Sequence, residues 1–241
     1  MKGLFNIPNL LTLINLFSGC LAVVFLFSYH ADYVIWCMVV SLVADFFDGM
    51  AARALKTTAS GIGKELDSLA DVVSFGLVPG TVFHYMLYNT AKIGFTGDSE
   101  LGIILYSSIA FLITLFAALR LAKFNIDTRQ SVDFIGLATP AATIYVVGLL
   151  QIYLANSFSL GSLITQPMIL ILNITFICFM MIAEIPMFSF KFKSLNWKAN
   201  QLQFIFLAVS IAMLIFLKFV ALPLIILIYI TLSITKKYLP K

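Results

Sequence analysis

Charge is what this sequence has least of. Asp, Glu, Lys and Arg make up 11% of its 241 residues, against 61% hydrophobic. The few polar residues cluster between apolar runs too long for a soluble core, and no segment between those runs is long enough to fold alone, so a soluble domain is excluded. Cysteine is nearly absent. Cys20, Cys37 and Cys178 all lie inside apolar runs, where no spacing pairs them for a disulfide or a thiolate metal site, and they read as small core residues. The two histidines, His30 and His84, fall away from the acidic residues, which leaves histidine catalysis without a residue in place. The first apolar run, Ile7 to Ser28, lacks an A-x-A-like cleavage site and is long enough to span. It reads as a membrane helix and not as a cleaved signal peptide.

What is present is a succession of apolar runs. They predict an all-α, polytopic integral membrane protein with about eight transmembrane helices, near 7–28, 33–54, 67–90, 101–122, 137–157, 167–188, 200–217 and 219–236. Each is close to the ~20 residues a bilayer requires. The last two are almost continuous, split by Lys218 and Pro223. Residues 1–241 read as a single membrane domain.

The basic residues predict an orientation. With both termini cytoplasmic, the inner segments hold Lys2; Arg53, Lys56, Lys64; Arg120, Lys123, Arg129; Lys191, Lys193, Lys198; and Lys236, Lys237, Lys241. That is 13 of the 15 Lys and Arg, with Lys92 and Lys218 outside. The opposite orientation violates the positive-inside rule at every inner segment. The net charge of +4 is then an orientation signal and calls for no nucleic-acid partner.

The richest stretch is Asp45 to Asp71, DFFDGMAARALKTTASGIGKELDSLAD, at the predicted cytoplasmic ends of spans 2 and 3. Asp45 and Asp48 are spaced i,i+3, and Asp67 and Asp71 i,i+4, so each pair projects from one helix face. Asp45 lies roughly 13 Å inside the end of its helix, at about 1.5 Å per residue. A carboxylate at the centre of a membrane helix costs roughly 2.5–3.5 kcal/mol, and four unpaired ones on the order of 10 kcal/mol. Two antiparallel helices joined by a loop of about a dozen residues bring both pairs face to face, and a hard divalent cation relieves their repulsion. Oxygen-only ligands favour Mg²⁺, Mn²⁺ or Ca²⁺ over zinc. Gly49 and Ala52 leave space on the carboxylate face. Arg53 supplies a planar donor for phosphate oxygens, and Gly61 and Gly63 let the loop backbone approach an anion. Metal, arginine and glycine together read as pyrophosphate handling. A purely structural ion cluster explains the acids but not the small residues beside them. On span 1, Asn9, Thr12 and Asn15 form a polar stripe, explained equally by helix–helix hydrogen bonding or by a bordering ligand.

The pattern Asp45-x₂-Asp48-Gly49-x₂-Ala52-Arg53…Gly63-x₃-Asp67-x₃-Asp71 resembles the signature of the CDP-alcohol phosphotransferases, membrane enzymes that displace CMP from a CDP-linked substrate with an alcohol. Nine residues separate Arg53 from Gly63, where the family usually has about eight. Within the family the chain is similar to the phosphatidylserine synthases. Ile7-Pro8-Asn9-Leu10-Leu11-Thr12-Leu13-Ile14-Asn15 resembles their opening, and Val72-Val73-Ser74-Phe75-Gly76 with Pro79 resembles their extension after the last aspartate. Arg120-Leu121-Ala122-Lys123-Phe124-Asn125, followed by Phe134-Ile135-Gly136-Leu137 and Pro140-Ala141-Ala142, resembles their loop between spans 4 and 5. Glu184-Ile185-Pro186 with Ser189-Phe190-Lys191 is a fainter echo, and residues 200–236, the last two helices, lie outside every recognised motif.

The resemblance implies that Asp45, Asp48 and Asp67 bind one or two Mg²⁺ or Mn²⁺ ions with Asp71 at the edge of the cluster. It implies that Gly49, Ala52, Arg53, Gly63, Asn9 and Thr12 border CDP-diacylglycerol. Asp71 would take the proton from the L-serine hydroxyl, which attacks the lipid-side phosphorus directly. Arg120, with Asn125 as polar partner, is the candidate for the serine carboxylate; Lys123 and Arg129 are its rivals, and attraction to anionic lipid is their alternative use. Lys191 and Lys193 read as topology anchors. A homodimer, a bacterial inner membrane and a cytoplasm-facing site are expected on the same ground. Rival readings are a phosphatidylglycerophosphate or phosphatidylinositol-phosphate synthase of the same family, a membrane prenyltransferase, and a cation-coupled transporter. The transporter finds no use for Gly49, Ala52 and Arg53, and its site would lie nearer the midplane.

Overall fold

The computed structural model describes residues 5–55, 61–94, 99–127, 134–188 and 200–238, with 61 and 236–238 described by backbone alone. Helix α1 (Ile7–Phe27) starts at Asn6, whose side chain accepts the Asn9 amide at 2.8 Å, with Pro8 in the first turn. That amide would otherwise lack an acceptor, and proline at this point has no amide to satisfy. The helix is inverted relative to one in a soluble protein. Ile7, Phe17 and Val24 are exposed while Asn9, Thr12, Asn15, Ser18, Gly19 and Ala22 are buried. Lipid is as apolar as leucine, so small and polar side chains are the ones that gain by turning inward.

A 3₁₀ turn (Ala31–Tyr33) leads into α2 (Val34–Ala54), which packs along α1 through Met38, Ser41, Ala44 and Asp48. Next comes one continuous rod: α3 (Gly61–Val72), a π-helical turn (Val73–Leu77) and α4 (Val78–Gly94). A second rod joins α5 (Glu100–Ser107) through a 3₁₀ turn (Ser108–Phe111) to α6 (Leu112–Ile126). Helix α7 (Thr139–Ala155) is buried on most sides, and a Cβ on Gly148 would meet Pro223 Cδ at 2.6 Å, so glycine there is what lets α11 lie against it. Short α8 (Gly161–Ile164) precedes α9 (Pro167–Ile182). The chain ends with α10 (Gln201–Leu217) and α11 (Ala221–Tyr238), separated at Lys218, whose φ is 51°.

Every predicted span therefore carries a helix, and the chain is an all-α polytopic membrane protein. Among the described residues, five stretches are long and apolar enough to cross a bilayer: Ile7–Phe27, Ala31–Ala54, Ile62–Gly94, Glu100–Ile126 and Gln201–Thr235, the last holding α10 and most of α11. Helices α7 and α9 are apolar but shorter.

Three expectations need correction. Span 6 ends at Ile182 and not near 188. Leu137 N–H takes the Met180 carbonyl at 2.8 Å, and Phe134–Ile135 (β1) pairs antiparallel with Pro186–Met187 (β2), where proline bars further helix. Gly136 sits at the crux with φ 76°, and a Cβ there would meet Met181 O at 2.5 Å. Gly61 and Gly63 lie in the first turn of α3 and not in a loop. Cys178 is buried as expected, but Cys37 is half-buried and Cys20 faces outward.

Candidate active site

Three helices supply the site. On α2, Asp45 and Asp48 point towards α1 and α3; on α3, Asp67 and Asp71 answer them. Carboxylate oxygens of Asp45, Asp67 and Asp71 all lie within 4.8 Å of one another. Asp67 Oδ1 is buried with no hydrogen-bond partner among the described residues. Carboxylates this close can be ionised together only against a cation. An all-oxygen set with an unsatisfied buried oxygen fits a hard divalent ion.

The arrangement differs in one respect from the expectation. Asp71 stands inside the close triad and not at its edge. Asp48, beside the triad, turns to α1, where Thr12 Oγ1 donates to its Oδ2 at 2.6 Å. The polar stripe of α1 thus joins helices, by hydrogen-bonding the acids themselves. Asn15 Nδ2 donates to Asp71 Oδ1 at 3.2 Å, while Asn15 Oδ1 accepts from Ser41 Oγ and its main-chain oxygen accepts from Ser74 Oγ at 3.0 Å. Asn15, Ser41 and Ser74 are fully buried, so the orientation of Asp71 is held by a satisfied network. Ser41, one turn before Asp45 on the same face, had a legible position; Ser74 was legible only as part of the extension after Asp71.

The π turn begins two residues after Asp71. It offsets the carbonyls of Phe75 and Gly76 from the helical ladder, and hydroxyls from two other helices reach them: Thr143 Oγ1 to Phe75 O at 3.3 Å and Thr114 Oγ1 to Gly76 O at 3.0 Å. Such turns recur at functional sites because one extra residue re-aims what precedes it. Gly19 permits the close approach of α1 here, since a Cβ on it would meet Ser74 Oγ at 2.5 Å.

Beside the acids opens a cavity of about 200 Å³, lined by Asn9, Thr12, Asp48, Gly49, Ala52 and Gly63, with Lys64 and Asp67 at its wall. The predicted small residues and α1 residues are therefore assembled as one surface. Arg53 is not among the lining residues; it is exposed, with Nη1 3.6 Å from where a Gly49 Cβ would stand. Lys64, one turn before Asp67, was missed as a lining residue. A larger cavity of about 370 Å³ at the other end of α1, lined by Phe27, Tyr29, His84 and Tyr85 among others, has no acidic lining.

Arg120 is 7% exposed on the buried face of α6. Its Nη1 reaches Thr139 Oγ1 at 3.5 Å, its guanidinium lies 5.1 Å from the Phe124 ring centroid, and its Nε has no partner among the described residues. It stands within electrostatic range of Asp71. Asn125 does not join it. Five residues on, at about 100° per residue, puts Asn125 about 140° around the helix. Its Nδ2 donates instead to Ser68 Oγ at 2.7 Å, and its carbonyl accepts from Lys64 Nζ at 2.9 Å. Lys123 pairs with Glu184 at 3.2 Å. Arg129, Lys191 and Lys193 lie outside the described residues.

A carboxylate cluster, a small-residue cavity and a buried guanidinium stand on membrane helices, a set able to hold a divalent cation and an anion. Residues 5–181 match the CDP-alcohol phosphatidyltransferase family, and the chain belongs to it. Among curated proteins it is 34% identical over 211 residues to a CDP-diacylglycerol–serine O-phosphatidyltransferase of Helicobacter pylori (strain ATCC 700392 / 26695), covering 86% of this chain and 82% of that one. The proteins of the same description from Methanocaldococcus jannaschii and Bacillus subtilis are 37% and 34% identical. They cover 68% and 58% of this chain, and 69% and 73% of their own lengths.

Proposed function

We propose that this protein transfers the phosphatidyl group of CDP-diacylglycerol to L-serine, giving phosphatidylserine and CMP. The observation that carries the reading is the placement of Asp71: in the acidic triad, oriented by Asn15, and in electrostatic range of the buried Arg120. Serine binds with its carboxylate on Arg120. Its hydroxyl oxygen forms a bond to the lipid-side phosphorus as the bond from that phosphorus to the CMP oxygen breaks. Asp71, oriented by Asn15, takes the hydroxyl proton. Asp45, Asp67 and Asp71, with Asp48 beside them, would hold Mg²⁺ or Mn²⁺, which neutralises the diphosphate and the charge that develops on CMP. Asn9, Thr12, Gly49, Ala52 and Gly63 border the nucleotide end, and Arg53 contacts phosphate at the rim.

The distribution of Lys and Arg supports eight spans, both termini inside and a site that faces the cytoplasm; the family resemblance and the short loops support a bacterial inner membrane. The family resemblance supports a homodimer, which light scattering of the detergent complex measures. The deciding experiment is an acceptor competition. Purified protein with CDP-diacylglycerol and Mg²⁺ or Mn²⁺ is given serine, glycerol-3-phosphate or inositol phosphate, and CMP is followed. Release with serine alone is expected. Release with another acceptor instead overturns the serine assignment, and no release with any of them overturns the transferase reading.

A further inference from the structure

Helix α11 lies beyond the residues matched to the family, which end at 181, yet it reaches the surroundings of Arg120. Two contacts do this. Tyr229 OH donates to Phe188 O at 3.0 Å, and Phe188 N–H donates to Ser233 Oγ at 3.4 Å, so both main-chain groups of one residue are taken by one face of α11. Ser233 in turn donates to Tyr229 O at 2.7 Å, and the Tyr229 and Phe188 rings lie 4.8 Å apart. Tyr229 and Ser233 are both buried.

Phe188 directly follows Met187, the β2 residue paired with Phe134. The Phe134 ring lies 5.9 Å from that of Phe124, which carries the Arg120 guanidinium. The same β1 segment runs through Gly136 and Leu137, pinned to Ile185 O and Met180 O, into Thr139, the hydrogen-bond partner of Arg120. Both supports of the guanidinium therefore lead back to a ladder whose outer strand is clamped by α11. The Tyr229 phenol is itself within electrostatic range of Arg120.

We infer that Tyr229 and Ser233 are positioning residues for the acceptor: α11 clamps Phe188, and through β2, β1 and Phe124 it holds Arg120 where a small carboxylate-bearing alcohol docks. The inference rests on the reading of Arg120 as the acceptor cation. It assigns acceptor selection to a helix outside the shared catalytic domain. The physical need is clear. Serine offers few atoms for binding, so a cation that must first be ordered would forfeit most of the affinity.

The test uses the full-length enzyme in detergent, with KM for serine and for CDP-diacylglycerol measured separately through CMP release. Tyr229→Phe keeps the ring and removes the donor; Ser233→Ala removes the acceptor; Ser233→Thr keeps a hydroxyl. The first two are expected to raise the serine KM about fivefold, the worth of one neutral hydrogen bond, with the CDP-diacylglycerol KM changed less than about twofold. Ser233→Thr is expected to stay near wild type. Because both variants act on Phe188, the double variant should fall short of the product of the singles. Equal rises in both KM values, or none, overturn the inference. A variant that fails to fold is read through the other one. If the wild type releases no CMP with serine, it is the functional reading that fails and not this one.

Discussion

At the scale of the residue, Asp71 and Thr12 make the sharpest predictions. Asp71→Asn should lower kcat by about 10²–10⁴, the range for loss of a general base, while much of the CDP-diacylglycerol binding survives; single-turnover CMP release beside a liponucleotide binding assay separates the two. Turnover at the wild-type rate would remove Asp71 as the base. Thr12→Val acts one step back. Thr12 orients Asp48 at 2.6 Å, and partners of this kind are worth about 10–100-fold in metal affinity. The Mg²⁺ or Mn²⁺ concentration for half-maximal activity should rise by that order, with kcat at saturating metal less affected. Arg120→Ala should raise the serine KM more than the liponucleotide KM, since the guanidinium has spare donors and its nearby acid is Asp71.

Between residues and molecule, the element that matters most is the rod made of α3, the π turn and α4. Thr114→Val tests this element. It leaves the Gly76 carbonyl without the hydroxyl it accepts from, a loss of about 1–3 kcal/mol for a buried group, read as a lower unfolding midpoint in detergent. The motif Val73-Ser74-Phe75-Gly76 was readable as a resemblance. Its physical content, a π turn with two threonines supplied by distant helices, was not, because no local pattern encodes an extra residue per turn.

For the molecule as a whole, the charge pattern predicts sidedness. In a variant whose native Cys20, Cys37 and Cys178 are replaced, Lys64→Cys should resist an impermeant thiol reagent applied to intact cells, and Lys92→Cys should react. The reverse would invert the topology and place the acids outside. The exposed phenylalanines, such as Phe17, Phe27, Phe46 and Phe216, are what such a chain presents to lipid, whereas Phe75 and Phe83 are fully buried in its core.

The sequence alone determined the helical membrane architecture, the acids and the small residues beside them. All of these follow from periodicity, run length and the cost of charge in lipid, which act locally along the chain. Helix ends were less legible where a distant segment intervenes, as Leu137 does at Met180. Tertiary structure decided which partner each polar side chain takes: Asp71 into the triad, Asp48 to Thr12, Asn125 away from Arg120 to Ser68. It alone brought α11 to Phe188. Such choices depend on how helices rotate and approach one another. Rotation is set by the packing of Gly19 on Ser74 and Gly148 on Pro223, contacts between residues far apart in sequence that no spacing within a single helix reveals.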